Sequence, residues 1–174
     1  MHPTLLSASD LQQYKALMLH AYGHAADAFT STADERSRET DDWWRHRIAN
    51  PNETTFSFGA FYNQQMIATV AIEYSLKPKT KHKALIVGMY VLSAWRGKGI
   101  ARSLMLTAID HAKSRSGVSV LQLNVTHGNE PALNLYQSLG FQQFGLEPMA
   151  ILTPNGYRSK LHMWQQLGGD QNAA

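Results

Sequence analysis

Residues 91 to 102 read Val91-Leu-Ser-Ala-Trp-Arg-Gly-Lys-Gly-Ile-Ala-Arg102, and this stretch decides the fold more than any other part of the chain. The run before it, Ala84-Leu-Ile-Val-Gly-Met-Tyr-Val-Leu92, is almost wholly apolar and predicts a buried strand. After it, apolar residues recur at helical spacing over 102–116, which predicts an amphipathic helix. The basic, glycine-rich segment 96–102 therefore joins a strand to the N-terminus of a helix.

A connection of this kind is suited to bind phosphate. The first N–H groups of a helix have no acceptor within the helix, and the helix dipole is positive at that end. Gly97 and Gly99 allow unusual backbone angles and a close approach to a ligand. Arg96, Lys98 and Arg102 add positive charge around the turn. The segment predicts a ligand that carries a diphosphate.

Two common phosphate-binding motifs do not fit this segment. A Walker A loop requires Ser or Thr after its lysine, and here Gly99 follows Lys98. A dinucleotide fingerprint requires a carboxylate about twenty residues downstream, and residues 119–122 contain none. The pattern that the segment does contain is Arg96-x-x-Gly99-x-Ala101.

A second motif follows a strand-like run over 118–126. It reads Asn129-Glu-Pro-Ala-Leu-Asn-Leu-Tyr136-Gln-Ser-Leu-Gly140-Phe141. Local chemistry predicts a helix over 130–139, because Asn129 is a good N-cap and Gly140 a good terminator. Pro131 falls in the first turn, where a missing N–H costs nothing.

Together, in this order, the two motifs resemble the R/Q-x-x-G-x-G/A and N-x-x-A-x-x-x-Y-x-x-x-G-F elements of the GCN5-related N-acetyltransferases (GNAT). The resemblance covers residues 56–166 well and 1–55 loosely. It implies a mixed α/β (α+β) domain over 1–168, with a largely antiparallel sheet of about six to seven strands flanked by about four helices. We expect residues 169–174 to form a disordered tail.

Hydrophobic periodicity predicts an element order that agrees with this architecture. Helices are expected at 10–28, 41–49, 102–116 and 130–139, strands at 56–62, 65–76, 84–92, 118–126, 141–151 and 158–167, and a turn-rich polar segment at 29–40.

The resemblance also implies a set of binding residues. The residues expected to hold the pyrophosphate of acetyl-CoA are Arg96, Gly97, Lys98, Gly99, Ile100, Ala101 and Arg102. Those expected to pair with the pantetheine arm or to contact the cofactor are Met89, Tyr90, Val91 and Asn129. Gly88 fits either a β-bulge beside this edge or the relief of crowding in the core.

For the chemistry, the resemblance implies that Tyr136 protonates the departing thiolate. The alternative is a half-buried aromatic residue that packs beside Leu133 and Leu139. Many relatives place a glutamate base on the strand before the loop, but residues 85–92 contain no carboxylate. Glu73, on the neighbouring predicted strand, is the nearest candidate for the base, unless it simply faces solvent. Glu35 is a second candidate, for a contact with the acceptor.

Other polar and aromatic groups are weaker candidates. His20 and His24 have the i, i+4 spacing of a helical metal pair, but no third ligand is spaced to join them, so we expect ordinary surface histidines and no metal. Phe29, Trp43 and Trp44 are more typical of core or helix packing, but the resemblance implies that the N-terminal helices wall the acceptor pocket, which one of these aromatic residues would then line. The resemblance also puts Glu147 and Tyr157 on the acceptor side.

Composition bounds the remaining possibilities. The chain has 174 residues, 44% hydrophobic and 17% charged, which is typical of one globular domain. It contains no cysteine, and therefore neither a disulfide framework nor a cysteine nucleophile. It contains no apolar run of transmembrane length, and its N-terminus is unlike a signal peptide, so we expect a cytoplasmic protein. The lysine run 77–83 is expected to be a solvated hairpin loop.

We therefore expect an N-acetyltransferase that transfers an acetyl group from acetyl-CoA to a primary amine, by direct attack in a ternary complex. The amine belongs to a small molecule or a peptide. One alternative is a non-catalytic acyl-CoA-binding domain that kept the loop and lost the base. A second is a basic nucleic-acid-binding module, which only the lysine run 77–83 favours, since the net charge of +3 is mildly basic. We expect a monomer or homodimer, with no nucleic-acid or membrane partner.

Overall fold

A computed structural model describes residues 2–48 and 53–168. The strands are β1 (Thr4–Leu5), β2 (Thr55–Tyr62), β3 (Gln65–Tyr74), β4 (Lys83–Val91), β5 (Val120–Thr126), β6 (Gln142–Thr153) and β7 (Gly156–Gln166). The α-helices are α1 (Leu11–His24), α2 (Ala33–Ser37), α3 (Asp41–Ile48), α4 (Ile100–Ser114) and α5 (Glu130–Ser138). The predicted end of the second helix at residue 49 and the predicted tail 169–174 lie outside the described residues.

All seven strands form one sheet in the order β1-β2-β3-β4-β5-β7-β6. Only the β4–β5 pair is parallel, and every other neighbouring pair is antiparallel. The predicted mixed, largely antiparallel fold is therefore confirmed. Strand β1 was not predicted, because two residues are too few to show a period. No helix among the described residues is long and apolar enough to cross a membrane.

The first third of the chain differs in detail from its prediction. Helix α1 ends at His24, and residues 26–28 form a separate 3₁₀ turn instead of continuing the helix to 28. The segment 29–40, predicted as turns, contains the short helix α2. The side chain of Thr32 caps this helix by accepting a hydrogen bond from the N–H of Glu35, at 3.1 Å.

Helices cover both faces of the sheet and enclose two clusters of buried side chains. Helices α4 and α5 pack on one face, where their buried residues include Leu104, Met105 and Tyr136. Helices α1 and α3 pack on the other face, with Tyr14 and Trp44 fully buried between them. The sheet is therefore the middle layer of the domain, and β4 lies at its centre.

The sheet opens between β4 and β5, and this opening positions the functional site. The two strands pair in parallel only from Lys83↔Val120 to Ile86↔Leu123. Beyond that point β4 stays paired with β3 as far as Val91, while β5 stays paired with β7 as far as Thr126. The edge of β4 that faces β5 is therefore left without a strand partner over residues 87–91.

A β-bulge lies in β4 where the opening begins. Ala71 pairs with Val87 and Thr69 pairs with Tyr90, so two residues of β4 stand opposite one residue of β3. Gly88 lies in this bulge with a φ of 64°. A Cβ atom added to it would meet only the Cε of Met18, at 3.9 Å. Of the two interpretations of this glycine, the bulge is confirmed and the relief of crowding is wrong.

We expect Gly88→Ala to lower the free energy of unfolding by about 1–2 kcal/mol, because the left-handed backbone disfavours any side chain. Gly23→Ala is the matched control. Gly23 lies within α1 with no atom within 4 Å of an added Cβ, so alanine there should raise stability by about 0.5 kcal/mol. Urea denaturation of both variants measures the difference. Equal effects at the two positions would contradict a conformational requirement at Gly88.

Candidate functional site

The connection between β4 and α4 ends in a row of backbone N–H groups. Both Gly97 and Gly99 have positive φ angles, 74° and 75°, which confirms the need for glycine at these positions. The first hydrogen bond of α4 runs from the N–H of Ser103 to the carbonyl of Gly99, at 3.0 Å. The N–H groups of residues 100–102 come before this bond, so they have no acceptor within the helix.

Two arginines tie this connection to the elements beside it. The Nε of Arg96 donates to the carbonyl of Val91, at the end of β4, over 3.1 Å, and its guanidinium lies 5.8 Å from the ring centre of Tyr90. The Nη1 of Arg102 donates to the hydroxyl of Ser138 at 2.9 Å, which joins the start of α4 to the end of α5.

The same connection carries uncompensated positive charge. The Nζ of Lys98 lies 4.6 Å above the ring of Trp95, which packs in turn on Tyr62 with ring centres 4.5 Å apart. None of the side chains of Arg96, Lys98 and Arg102 lies within ion-pair distance of a carboxylate in the described part of the chain. All three side chains are exposed, so their charge is open to an anionic ligand.

Helix α5 begins and ends as its sequence predicts. The Oδ1 of Asn129 accepts a hydrogen bond from the N–H of Ala132 at 3.4 Å, which makes Asn129 the N-cap. Gly140 ends the helix with a φ of 91°, and the N–H of Phe141 returns to the carbonyl of Tyr136 at 3.0 Å.

Tyr136 lies on the inner face of α5, with 7% of its surface exposed. Its ring meets Phe141 edge to face, with ring centres 6.2 Å apart. Burial raises the pKa of the Tyr136 phenol to about 12, because the phenolate would lose its hydration. Tyr136 therefore has the packing expected if it is only a buried aromatic residue of the helix. Its phenol is protonated at neutral pH.

An open cleft of about 610 Å³ lies beside the end of β5. The residues that line it come from the end of α1, the 3₁₀ turn, the end of β5, the β5–α5 connection, the start of α5 and β7: Gly23, His24, Ala25, Ala26, Asp27, Ala28, Thr126, His127, Gly128, Asn129, Pro131 and Arg158. The hydroxyl of Thr126 donates to the carbonyl of Asp27 at 2.6 Å, and Arg158 lies 3.8 Å from the carboxylate of Asp27. These two contacts hold the turn against β5 and β7.

Glu73, the predicted base, lies away from this cleft. It pairs in register with Leu85, in the part of β4 that is still joined to β5. Thr69, which pairs with Tyr90 at the opening, is four residues away along the strand, or about 13 Å. The carboxylate of Glu73 lies 3.6 Å from the Nη2 of Arg47. The structure therefore does not bring Glu73 to the open part of β4, and this placement departs from our expectation because the bulge and the opening lie farther along the sheet.

The candidate Glu35 and the tryptophan pair take no part in the cleft either. The carboxylate of Glu35 is exposed, 3.7 Å from Arg36 on the same helix. Trp44 is fully buried in the α1–α3 core. The guanidinium groups of Arg36 and Arg47 lie 4.6 and 5.0 Å from the ring centre of Trp43. These aromatic residues fix α2 and α3 on the rest of the domain.

Phe29 is the predicted aromatic residue that comes near β4. Its ring centre lies 6.5 Å from that of Tyr90 and 5.0 Å from that of Tyr22. On the other side of the opening, the carboxylate of Glu147 accepts a hydrogen bond from the Nε2 of His162 at 2.9 Å. Tyr157 is exposed at the start of β7.

Sequence reasoning missed the position of two histidines of α1. His20 and His24 are stacked, with ring centres 3.8 Å apart and planes within 10°. The Nδ1 of His20 lies 3.0 Å from the hydroxyl of Tyr90 on β4, and His24 lines the cleft. The i, i+4 spacing indicates that the two rings lie on the same face of the helix, but it does not predict the contact of His20 with β4. Within residues 2–48 and 53–168 no group of three or more potential ligands is placed to hold a metal ion.

Comparison with known proteins defines the class. Residues 18–141 match the model of the Acetyltransferase (GNAT) family. N-alpha-acetyltransferase 30 of Schizosaccharomyces pombe is 30% identical over 51% of this chain and 59% of its own length. L-amino acid N-acetyltransferase AaaT of Escherichia coli is 26% identical over 71% of this chain and 75% of its own. Streptothricin acetyltransferase of Streptomyces lavendulae is 39% identical over 44% of this chain and 39% of its own.

Solved structures share the fold over the whole domain. A GNAT-family acetyltransferase from Streptococcus pneumoniae has a TM-score of 0.86 at 18% identity, covering 95% of this chain and 98% of its own. The yncA protein of Salmonella typhimurium, solved with its cofactor acetyl-CoA, has a TM-score of 0.80 at 22% identity, covering 100% and 96%. The chain thus belongs to the GNAT family of acetyltransferases, which use acetyl-CoA as co-substrate.

The raised pKa of Tyr136 predicts a loss of stability in alkali. A phenol whose folded pKa of about 12 exceeds its ordinary value of 10 stabilises the fold fully below pH 10. This contribution disappears as the pH rises from 10 to 12, at a cost of about 2 kcal/mol. Tyr136→Phe should remove this part of the pH dependence in denaturant titrations. The variant would contradict the assignment if it lost stability over this range as steeply as the wild type.

Proposed function

We propose that this chain is an N-acetyltransferase that acetylates a primary amine of a small molecule or a peptide, by direct attack of the amine on acetyl-CoA. One observation carries the proposal. The opening between β4 and β5, the row of N–H groups at the start of α4 and the cleft at the end of β5 all lie at the same end of the sheet. A ligand that binds along the open edge of β4 and at the start of α4 would extend one of its ends into the cleft.

The residues around the opening fit acetyl-CoA, which supplies an activated acetyl group on a thioester. The N–H groups that precede Ser103, with Arg96, Lys98 and Arg102, would hold its pyrophosphate. The open edge of β4 would pair with the amide groups of its pantetheine arm as an added strand does.

The bulge in β4 also offers a hydrogen-bond donor to the acyl carbonyl. We assign the stabilisation of the carbonyl oxygen to a backbone N–H among Met89, Tyr90 and Val91, because charge develops on that oxygen during attack. A bulge turns one N–H out of the regular ladder. Gly88, whose positive φ belongs to this bulge, lies where the opening begins. Asn129 contributes twice, as the cap of α5 and as a polar group in the cleft wall.

Tyr136 is proposed to interact with the sulfur atom of acetyl-CoA. With its pKa raised to about 12, transfer of its proton to a thiolate of ordinary pKa near 8.5 is uphill by about 5 kcal/mol. We therefore assign Tyr136 the role of a hydrogen-bond donor to the sulfur as negative charge develops there, with the final proton drawn from water. This role requires the phenol to stay protonated, and burial ensures that it does.

The relatives are named for different acceptors: one is an N-alpha-acetyltransferase, one an L-amino acid N-acetyltransferase and one a streptothricin acetyltransferase. The cleft carries Asp27 and Arg158 together with two histidines, so it is polar and of mixed charge. A primary amine on a small polar molecule or at a peptide terminus suits these walls. The non-catalytic alternative predicts acetyl-CoA binding without thiol release. Thiol release over a panel of amino acids, peptides and polyamines separates the two.

Gly99→Val tests the binding part of this proposal. The β-branched side chain should alter the backbone of the loop and abolish the rise in melting temperature that acetyl-CoA produces. Gly117→Val is the matched control. Gly117 also has a positive φ, 82°, and an added Cβ there has no atom within 4 Å, but it lies in the α4–β5 connection. The control should lose similar stability and keep the shift. Retention of the shift in Gly99→Val would show that the loop does not hold the ligand.

Tyr136→Phe tests the chemical part. We expect kcat to fall by about 10²-fold with little change in the affinity for acetyl-CoA, because the ring and its packing remain and only the donor is lost. Steady-state kinetics with the amine found in the panel, together with titration of acetyl-CoA, give the two values. A loss of kcat below about threefold would leave Tyr136 with a packing role alone.

A further inference from the structure

The proposed reaction needs a base, and the cleft contains titratable side chains that the sequence did not identify as candidates. A primary amine with a pKa near 10 is almost wholly protonated at neutral pH, so one proton must leave before attack. Four titratable side chains line the cleft: His24, Asp27, His127 and Arg158. Asp27 lies within ion-pair distance of Arg158, and an arginine cannot act as a base at this pH. The two histidines remain.

His24 differs from His127 because its ring is held in a defined state. Its Nδ1 lies 3.0 Å from the carbonyl oxygen of His20. A carbonyl oxygen only accepts, so Nδ1 is the donor, and Nε2 of the neutral ring carries the free lone pair. For His127 the structure shows only a backbone hydrogen bond, to Ser159 at 2.9 Å.

A chain of contacts connects His24 to the open strand. Its ring is stacked on that of His20, and His20 is joined to the hydroxyl of Tyr90 on β4. Tyr90, one of the three residues proposed to present a backbone N–H to the acyl carbonyl, thus also contacts the histidine pair. Such support fixes the orientation of a base before the substrate arrives.

We propose that His24 is the general base of the amine, an assignment that rests on the proposed function. Nε2 of His24 takes one proton from the ammonium group, and the freed lone pair of nitrogen forms the new N–C bond. The C–S bond breaks, the thiolate leaves, and it takes up a proton from water. The amide nitrogen loses its second proton to solvent, and His24 passes its own proton to solvent.

The surroundings of His24 accept the charge that this step creates. His24 is the last residue of α1, where the negative end of the helix dipole stabilises an imidazolium. The charged and titratable groups around it are His20, which is stacked on its ring and contacts Tyr90 on β4, and the residues that line the same cleft: Asp27 on the 3₁₀ turn, His127 on the β5–α5 connection and Arg158 on β7. The charge of Arg158 is balanced in part by its contact with Asp27.

The test is the pH profile of kcat/KM for the amine in His24→Gln. Glutamine keeps a polar side chain but cannot take the proton, so we expect a loss of about 10²-fold at pH 7. The difference should shrink as the pH approaches 10, because the amine then loses its proton to solvent. Added imidazole should restore part of the rate at pH 7. A merely structural role would give a loss that is independent of pH.

His46→Gln is the matched control. His46 lies in the last turn of α3, and its Nδ1 contacts the carbonyl of Asp42 four residues earlier, at 2.7 Å, but it does not line the cleft. Its profile should match that of the wild type. The acetyl-CoA thermal shift should be unchanged in both variants.

Two results would overturn the assignment of His24 alone: an unchanged profile in His24→Gln, or loss of the acidic limb in His127→Gln or Glu73→Gln instead. A different result would overturn the proposed function itself. If the wild-type chain binds acetyl-CoA and releases no thiol with any amine, there is no reaction for a base to serve.

Discussion

The parting of β4 from β5 after Ile86 is the constraint on which the site depends. A central strand normally has both of its edges paired, and unpaired backbone N–H and C=O groups are costly unless something satisfies them. Here β7 keeps β5 in the sheet, β3 keeps β4 in it, and the edge between them is left for a ligand. Because the next residues of the chain form a helix N-terminus, one end of the sheet offers both an open edge and a row of free N–H groups.

The N-terminal helices complete what the opening begins. Residues 25–29 cross from α1 to the end of β5, where Thr126 binds the carbonyl of Asp27, and Phe29 reaches Tyr90 on the far side of the opening. This segment therefore contacts both strands beside the opening and forms one wall of the cleft. The polar groups of the cleft come from five different parts of the chain, so changes in the connecting segments can alter which acceptor binds without disturbing the β4–α4 connection.

The parts of the site that follow from local chemistry could be predicted from the sequence. The positive φ angles of Gly97 and Gly99 and the cap at Asn129 each depend on a few neighbouring residues, and all are as expected. Placement across the sheet could not be predicted in the same way. Glu73 is on the expected strand but pairs with Leu85, before the opening begins, and lies four residues along the strand from the position opposite Tyr90. The contact of His20 with Tyr90 joins residues 70 apart in sequence, which no periodicity reveals.

Residue-resolved amide hydrogen exchange, measured with and without acetyl-CoA, tests the central claim most directly. If the ligand pairs with the open edge of β4 and with the start of α4, amides within residues 87–91 and 97–102 gain protection on binding. The amides of Lys83–Ile86, already in a ladder on both sides of the strand, should change little. Protection confined to another part of the chain, or equal protection along the whole of β4, would contradict the claim that the opening is the binding site.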